Sequence, residues 1–274
     1  MLAIHNYTPR QPPPGRCFLR LLCLTTLGTG LGFAHFAQAE GIDGKSREFT
    51  ARAQEKYVEA QKRYLAEPAN AVAAWQFART CFDRADYTTN NAERAVIAQQ
   101  GITPCRELLA RNVGIAQAHY YLGMNLGQLA RTKTLGALKI VDEMEREFKM
   151  ARALDEHLDY AGPDRNLGLL YLEAPRIASV GNRSKARQHL LKAIELAPDY
   201  PDNRLNFAEA CLKWADDHLA RRELKVLDGI VPKARAKFTG ADWEASWVDW
   251  EARLQRLRKT VEDHTKAEAA RSKI

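Results

Sequence analysis

Apolar residues recur three and four positions apart through most of the chain beyond residue 45, and no stretch shows sustained strand-like alternation. The spacing predicts a helix over about 46–65, ending before Pro68. Helix pairs follow near 70–84 and 92–110, 115–131 and 137–154, 163–173 and 183–196, and 202–216 and 217–230. A final helix is expected from about Asp242, with Thr239 and Asp242 spaced like a capping box.

The pairs recur with a period. Ala186, Leu190 and Pro198 are followed 34 residues later by Ala220, Leu224 and Pro232, the period and residue order of the tetratricopeptide repeat (TPR). In such a unit a small residue lets two helices approach, a large one fills the space between units, and Pro ends the second helix. The small residues of the first helices are Ala78, Gly123, Gly168 and Ala208. Their separations of 45, 45 and 40 exceed 34, and the excess falls mostly in "ADYTTNNAER", "ARTKTLGALKIV" and "EAPRIASVGNRS". The sequence therefore predicts an all-α, TPR-like solenoid of helical hairpins with enlarged loops inside the repeats and a C-terminal capping helix.

That last helix carries Trp243, Trp247, Trp250, Leu254, Leu257 and Val261 in an unbroken 4-3-4-3-4 seam. Two uses are open: packing onto the last repeat, or, through the Trp cluster, contact with a second copy or another partner. The polar "EDHTKAEAARSKI" after Val261 is expected to fray.

Residues 1–39 read as an export signal. Arg10, Arg16 and Arg20 make a basic start, Leu21–Phe36 is apolar and Gly-dotted, and Ala37-Gln38-Ala39 has the small-x-small form of a cleavage site. An uncleaved N-terminal membrane anchor is the other reading. The expected organisation is 1–39 signal, 40–238 repeat domain and 239–274 capping helix with polar tail, in an exported, periplasmic protein without a stable membrane span after cleavage. The formal charge of +7, less the +3 of the three signal arginines, leaves +4 interleaved with acids, which gives no footprint for nucleic acid. Cys81, Cys105 and Cys211 remain, an odd number without CxxC; buried thiols or one disulfide both fit, and a zinc site does not.

Candidate chemistry lies on two surfaces. If the first helix of each unit faces a concavity, Trp75 and Arg79, Tyr120 and Met124, Arg165, and Glu209 and Lys213 look into it as solvent-facing residues, suited to a peptide or an anionic ligand or else simply solvated. The enlarged loops project from one edge. There "APRIASVGN" places Pro175 as a helix stop, Gly181 as a residue free to take positive φ, and Asn182 or Ser184 as a cap. In "DYAGPDRN", Gly162-Pro163 reads as a turn and Asp164 as a cap or a partner of Arg165, and Arg165, Asn166 and Arg176 are candidates for a shared cleft. "DEHLDY" reads as a solvated helix end rather than a metal site, since its spacing does not put ligands on one helical face. No nucleophile elbow, P-loop, dinucleotide fingerprint or HExxH is present, so the reading contains no enzyme, cofactor or metal.

A narrower likeness covers about Leu122 to Ala210. It is carried by the glycine before a long second helix, the "GPDRNLGLLYLEAP" segment, the "SVGNRSKARQHL" segment and "ELAPDYPDNRL". These resemble the TPR-like T-component of tripartite ATP-independent periplasmic (TRAP) transporters. The resemblance implies an all-helical periplasmic lattice that assembles with itself and with a substrate-binding protein, some members holding a small hydrophobic ligand in a central pore or cleft. The Cys-anchored start of some members is not evident. The expected function is therefore an exported scaffold that binds a protein partner, within a transport system. The alternative is a carrier of a small organic or hydrophobic ligand in a cleft lined by Tyr120, Arg165 and Tyr171.

Overall fold

Each helix is bounded by residues that satisfy or terminate its backbone. The computed structural model describes residues 39–133, 136–176 and 179–271, with side chains from Ser46 onward, so the segment expected to be an export signal, residues 1–39, lies almost wholly outside the described residues. Ten helices and no strand occur among the described residues. They are α1 (Ala39–Ala66), α2 (Ala71–Tyr87), α3 (Asn91–Arg111), α4 (Ala116–Ala130), α5 (Ala137–Leu154), α6 (Leu158–Glu173), α7 (Arg183–Leu196), α8 (Pro201–Lys213), α9 (Asp217–Lys237) and α10 (Ala241–Arg271). Asn70, Asn90 and Asn182 cap α2, α3 and α7, each side chain accepting amide hydrogens that a first turn leaves unpaired. None of the described helices is long and apolar enough to cross a membrane.

The chain forms two compact units that part between Ala197 and Pro198. In the first, α1 packs on α2, α2 on α3 and α4, α3 on α4, α4 on α5 and α6, α5 on α6, and α6 on α7. Contact runs in sequence order. Small residues set the approach: a Cβ on Gly123 would lie 2.7 Å from the Phe148 ring, and one on Gly168 would lie 2.7 Å from the Leu190 side chain. Leu190 is the large residue of the repeat pattern and is fully buried. Cys81 and Cys105 are free and buried, and burial raises the pKa of both thiols.

In the second unit, α10 packs on both α8 and α9. Trp243, Trp247 and Trp250 are buried with Tyr200 and Phe238 in edge-to-face and tilted ring pairs. The Trp247 indole donates to the Phe238 carbonyl (2.7 Å). Of the two uses open to the seam, packing inside its own unit is the one these rings take. Cys211 is likewise buried and forms no disulfide among the described residues.

Several local expectations are corrected. The excess residues of the first hairpin lengthen its helices, and only residues 88–90 connect α2 to α3. Pro232 does not end its helix: α9 runs on to Lys237. The interior proline costs about 3 kcal/mol, and burial of Ala234 and of Phe238 among the tryptophans offsets it. The polar end of α10 stays helical to Arg271, held to α9 by Arg221–Glu268 (3.4 Å) and His264–Asp217 (2.9 Å). Gly181 has no positive φ; it is small because a Cβ there would lie 2.1 Å from the Ala174 carbonyl oxygen.

Candidate functional site

The site grows from one irregular turn. Within α6, Asp159 (φ 52°, ψ 47°), Tyr160 (55°, 51°) and Ala161 (63°, 35°) are all left-handed. Each such L-residue costs roughly 1–2 kcal/mol, and only surroundings that over-determine the conformation hold a run of three. Right-handed helix resumes from Gly162, and Pro163 falls in its first turn, where a missing N–H and a fixed φ are tolerated. Gly162 must be small, because a Cβ would lie 2.5 Å from the Tyr120 hydroxyl.

Arg165 is the clamp. Its guanidinium donates to the carbonyls of Asp159 (3.1 Å) and Tyr160 (3.2 Å) and to the Asp159 carboxylate (2.7 Å). The Tyr120 hydroxyl, from α4, donates to the same carboxylate (2.5 Å) and accepts from the Asn166 amide (3.0 Å). All four side chains are buried, Arg165 and Asp159 to within 4% and 6% of complete burial. A buried charge of either sign is costly alone, so each holds the other in place. Burial, then the charge on Asp159, pushes the Tyr120 pKa well above the ordinary phenol value, so this hydroxyl donates and does not ionise.

A half-buried rim from α2 adjoins this network. Trp75 stacks on Tyr121 (centroids 6.0 Å apart, planes at 7°). Arg79 stands 3.7 Å from Asp83. Burial opposes the charge on Arg79, but Tyr121, Asp83 and Asp159 together hold its proton more firmly than usual. Burial, against the pull of Arg79, raises the Asp83 pKa to about 6.

Asp83 has a stability consequence with a definite sign. An aspartate whose folded pKa exceeds its unfolded one binds its proton more tightly in the folded chain. Its contribution is therefore full below the ordinary 3.8 and is lost as pH rises through about 6. Asp83→Asn is expected to flatten that segment of the stability profile and to stabilise the chain at pH 7 by up to about 3 kcal/mol. Urea denaturation of both proteins between pH 4 and pH 7 measures it; a variant less stable than the parent at pH 7 contradicts the assignment.

The sequence-based candidates thus divide. Trp75, Arg79, Tyr120, Arg165 and Asn166 belong to one neighbourhood. Tyr120, Met124 and Arg165 do not face solvent as expected: Tyr120 and Met124 are buried in α4, a helix packed by α2, α3, α5 and α6, and Arg165 is buried in α6. Asp164 does not pair with Arg165 either. Fully buried, it accepts from Arg152 (2.9 Å) and from His189 Nδ1 (2.6 Å). Tyr171, two helical turns further, shares that face: it stacks on His189 and donates to Glu145 (2.6 Å). A cleft lined jointly by Tyr120, Arg165 and Tyr171 is therefore not formed, because residues 165 and 171 leave α6 on different sides. Arg176 is exposed and lies beyond the C-terminal end of α6, whose last residue, Glu173, is about 12 Å along the axis from Arg165.

Glu209 does not look into open solvent. Arg253 of α10, fully buried, donates to both its oxygens (2.9 and 2.8 Å), to Asn206 (2.5 Å) and to Asp202, with Asp249 at 3.5 Å.

Asp159, Asp83 and Tyr121 escaped the sequence reading. Asp159 was grouped with a solvated "DEHLDY" end; Glu156 and His157 are indeed exposed, but Asp159 is buried. Asp83 follows Arg79 at i+4, the spacing of a helical ion pair, and that signal was readable. Among the described residues no group of three or more His, Cys, Asp or Glu side chains is arranged to hold a metal ion. The chain matches no protein-family model and no curated protein.

Proposed function

We propose that this chain is an exported, TPR-like helical-repeat protein that holds a protein partner, as an accessory component of a periplasmic transport system of the TRAP kind. The sequential packing of α1–α7 supports the repeat architecture, as does the fit of Leu190 against Gly168. The export signal and the likeness of Leu122–Ala210 to TRAP T-components supply the compartment and the class of partner, a substrate-binding protein.

One observation carries the location of the binding surface: the left-handed Asp159–Ala161 turn, held by buried Arg165 and Tyr120. Strain of this kind gathers where a chain must present groups in a fixed arrangement. The half-buried Trp75 and Arg79 beside it are residue types that dominate interface energetics. The reading as binding rather than catalysis is supported by the way Tyr120, Asp159 and Arg165 are committed to one another.

The test is capture from periplasmic extract with tagged full-length chain, followed by mass spectrometry. One reproducible partner is expected, at least tenfold depleted with the double variant Trp75→Ala/Arg79→Ala, whose helicity should be unchanged. Undiminished capture by the folded variant removes this surface. The carrier reading draws its own support from the convergence of the polar side chains of Tyr120, Arg165 and Asn166 at buried positions. Native mass spectrometry showing a retained small molecule, lost in the Asn166→Leu variant, would favour it.

A further inference from the structure

Away from that neighbourhood, the end of α2, the start of α3 and the end of α4 bring two more arginines together. Arg94, 7% exposed, donates to Asn91 Oδ1 (2.6 Å) and to the Thr88 carbonyl. Arg131, the residue closing α4, donates to Asp86 (3.0 Å) and to Gln128 (3.0 Å), and Gln128 itself donates to Asp86 (3.3 Å). The Nε–H groups of both arginines are buried without a hydrogen-bond partner.

Charge does not balance there. Arg84 and Glu93 neutralise each other at 2.6 Å, and Glu93 also accepts from Thr88 (2.5 Å). Asp86 is then the carboxylate set between two guanidinium groups. After burial, the charge on Arg131 is the largest influence lowering the Arg94 pKa, ahead of the opposing Asp86 and Glu93, which marks the two cations as close neighbours. A buried donor without an acceptor costs about 1–3 kcal/mol, more when it belongs to a charged group. Two such donors with a surplus positive charge are what an anion would relieve.

We infer that Arg94 and Arg131 form a binding site for a small oxyanion at the hairpin edge of α2, α3 and α4. The planar guanidinium presents paired donors to phosphate, sulfate or carboxylate oxygens. Arg131, whose side chain is 20% exposed, is the solvent-facing member of the pair, and Arg94 is the buried one. Asp86 keeps Arg131 in position and leaves the second positive charge for the ligand.

Full-length protein titrated calorimetrically with sodium phosphate, sodium sulfate and sodium acetate at matched ionic strength tests this. Saturable binding of at least one is expected, with a dissociation constant of about 1 mM or tighter, and a matching rise in melting temperature. Arg131→Gln should weaken it at least ~10-fold, as removal of one partner from a desolvated charged contact does. Arg106→Gln, at an exposed arginine paired with Glu143, should leave it unchanged. If phosphate or sulfate binds tighter than acetate, the ligand is a tetrahedral oxyanion; the reverse order assigns a carboxylate. No saturable binding of any of the three, or binding undiminished in the folded Arg131→Gln variant, overturns the assignment, and ordered water then satisfies the two Nε groups.

Discussion

Arg165→Ala should destabilise the α1–α7 unit by about 3–5 kcal/mol, as expected when one member of a buried ion pair is removed. Three effects add. The Asp159 carboxylate keeps the Tyr120 hydroxyl but loses its cation. The carbonyls of Asp159 and Tyr160 lose their donor. The left-handed turn loses the clamp that spans it. Arg165→Lys should recover less than half, because one ammonium cannot reach both carbonyls and the carboxylate with a planar fork. Denaturant unfolding at pH 7 measures both, and a loss under about 1 kcal/mol for the Ala variant would remove the clamp from the account. Glycine provides a separate check on the backbone. Ala161 and Ala193 are both fully buried, but only Ala161 is left-handed. Ala193→Gly should cost about 1 kcal/mol or more, the usual helical penalty with a lost methyl. In Ala161→Gly, relief of backbone strain offsets that loss, leaving the variant within about 0.5 kcal/mol of the parent.

The second large effect concerns Arg253. Its replacement by Ala removes the guanidinium on which Asp202, Glu209 and Asp249 converge and leaves a cavity in its place. The expected cost is about 3–5 kcal/mol, enough to unfold α8–α10 under conditions where the parent is folded. Arg253→Met fills the volume but leaves the same carboxylates, so it should rescue little. Lowering the pH should narrow the difference, since protonation removes the repulsion. Near-ultraviolet circular dichroism of the tryptophan cluster reports unfolding of this unit directly. A native spectrum from Arg253→Ala at pH 7, with an unchanged denaturation midpoint, contradicts the prediction.

Much of the helical framework was legible because its signals are local. Threefold and fourfold apolar spacing marked the helices, and the small positions Gly123 and Gly168 announced close approaches that Phe148 and Leu190 then make. Asn182 was readable as a cap because its side chain acts on a backbone three residues away. What failed was non-local. Tyr120 is buried in a helix that four others pack against, which no single helical period reveals. Pro232 reads as a stop until the aromatic packing around Phe238 is known. Asp159 sits in a polar run that reads as solvated, and only the depth of its partners Tyr120 and Arg165 makes it a buried anion. At the candidate site, residue type singled out Trp75, Arg79, Arg165 and Asn166, which the fold brings into one neighbourhood, while the exposure expected of Tyr120 and Arg165 is not met, because bonds spanning about forty residues join α4 to α6 there.

The Arg253 cage also orders events in time. A ribosome delivers Asp202 51 residues before Arg253. During that interval Asp202 and Glu209 of α8 lack the guanidinium they share in the finished unit. The α8–α9 hairpin must remain hydrated and pliant until the final helix emerges, and α10 therefore acts as the closing piece of its unit. A nascent chain stalled short of residue 253 carries an open, acidic end, which distinguishes it from the finished molecule for any quality-control factor it meets.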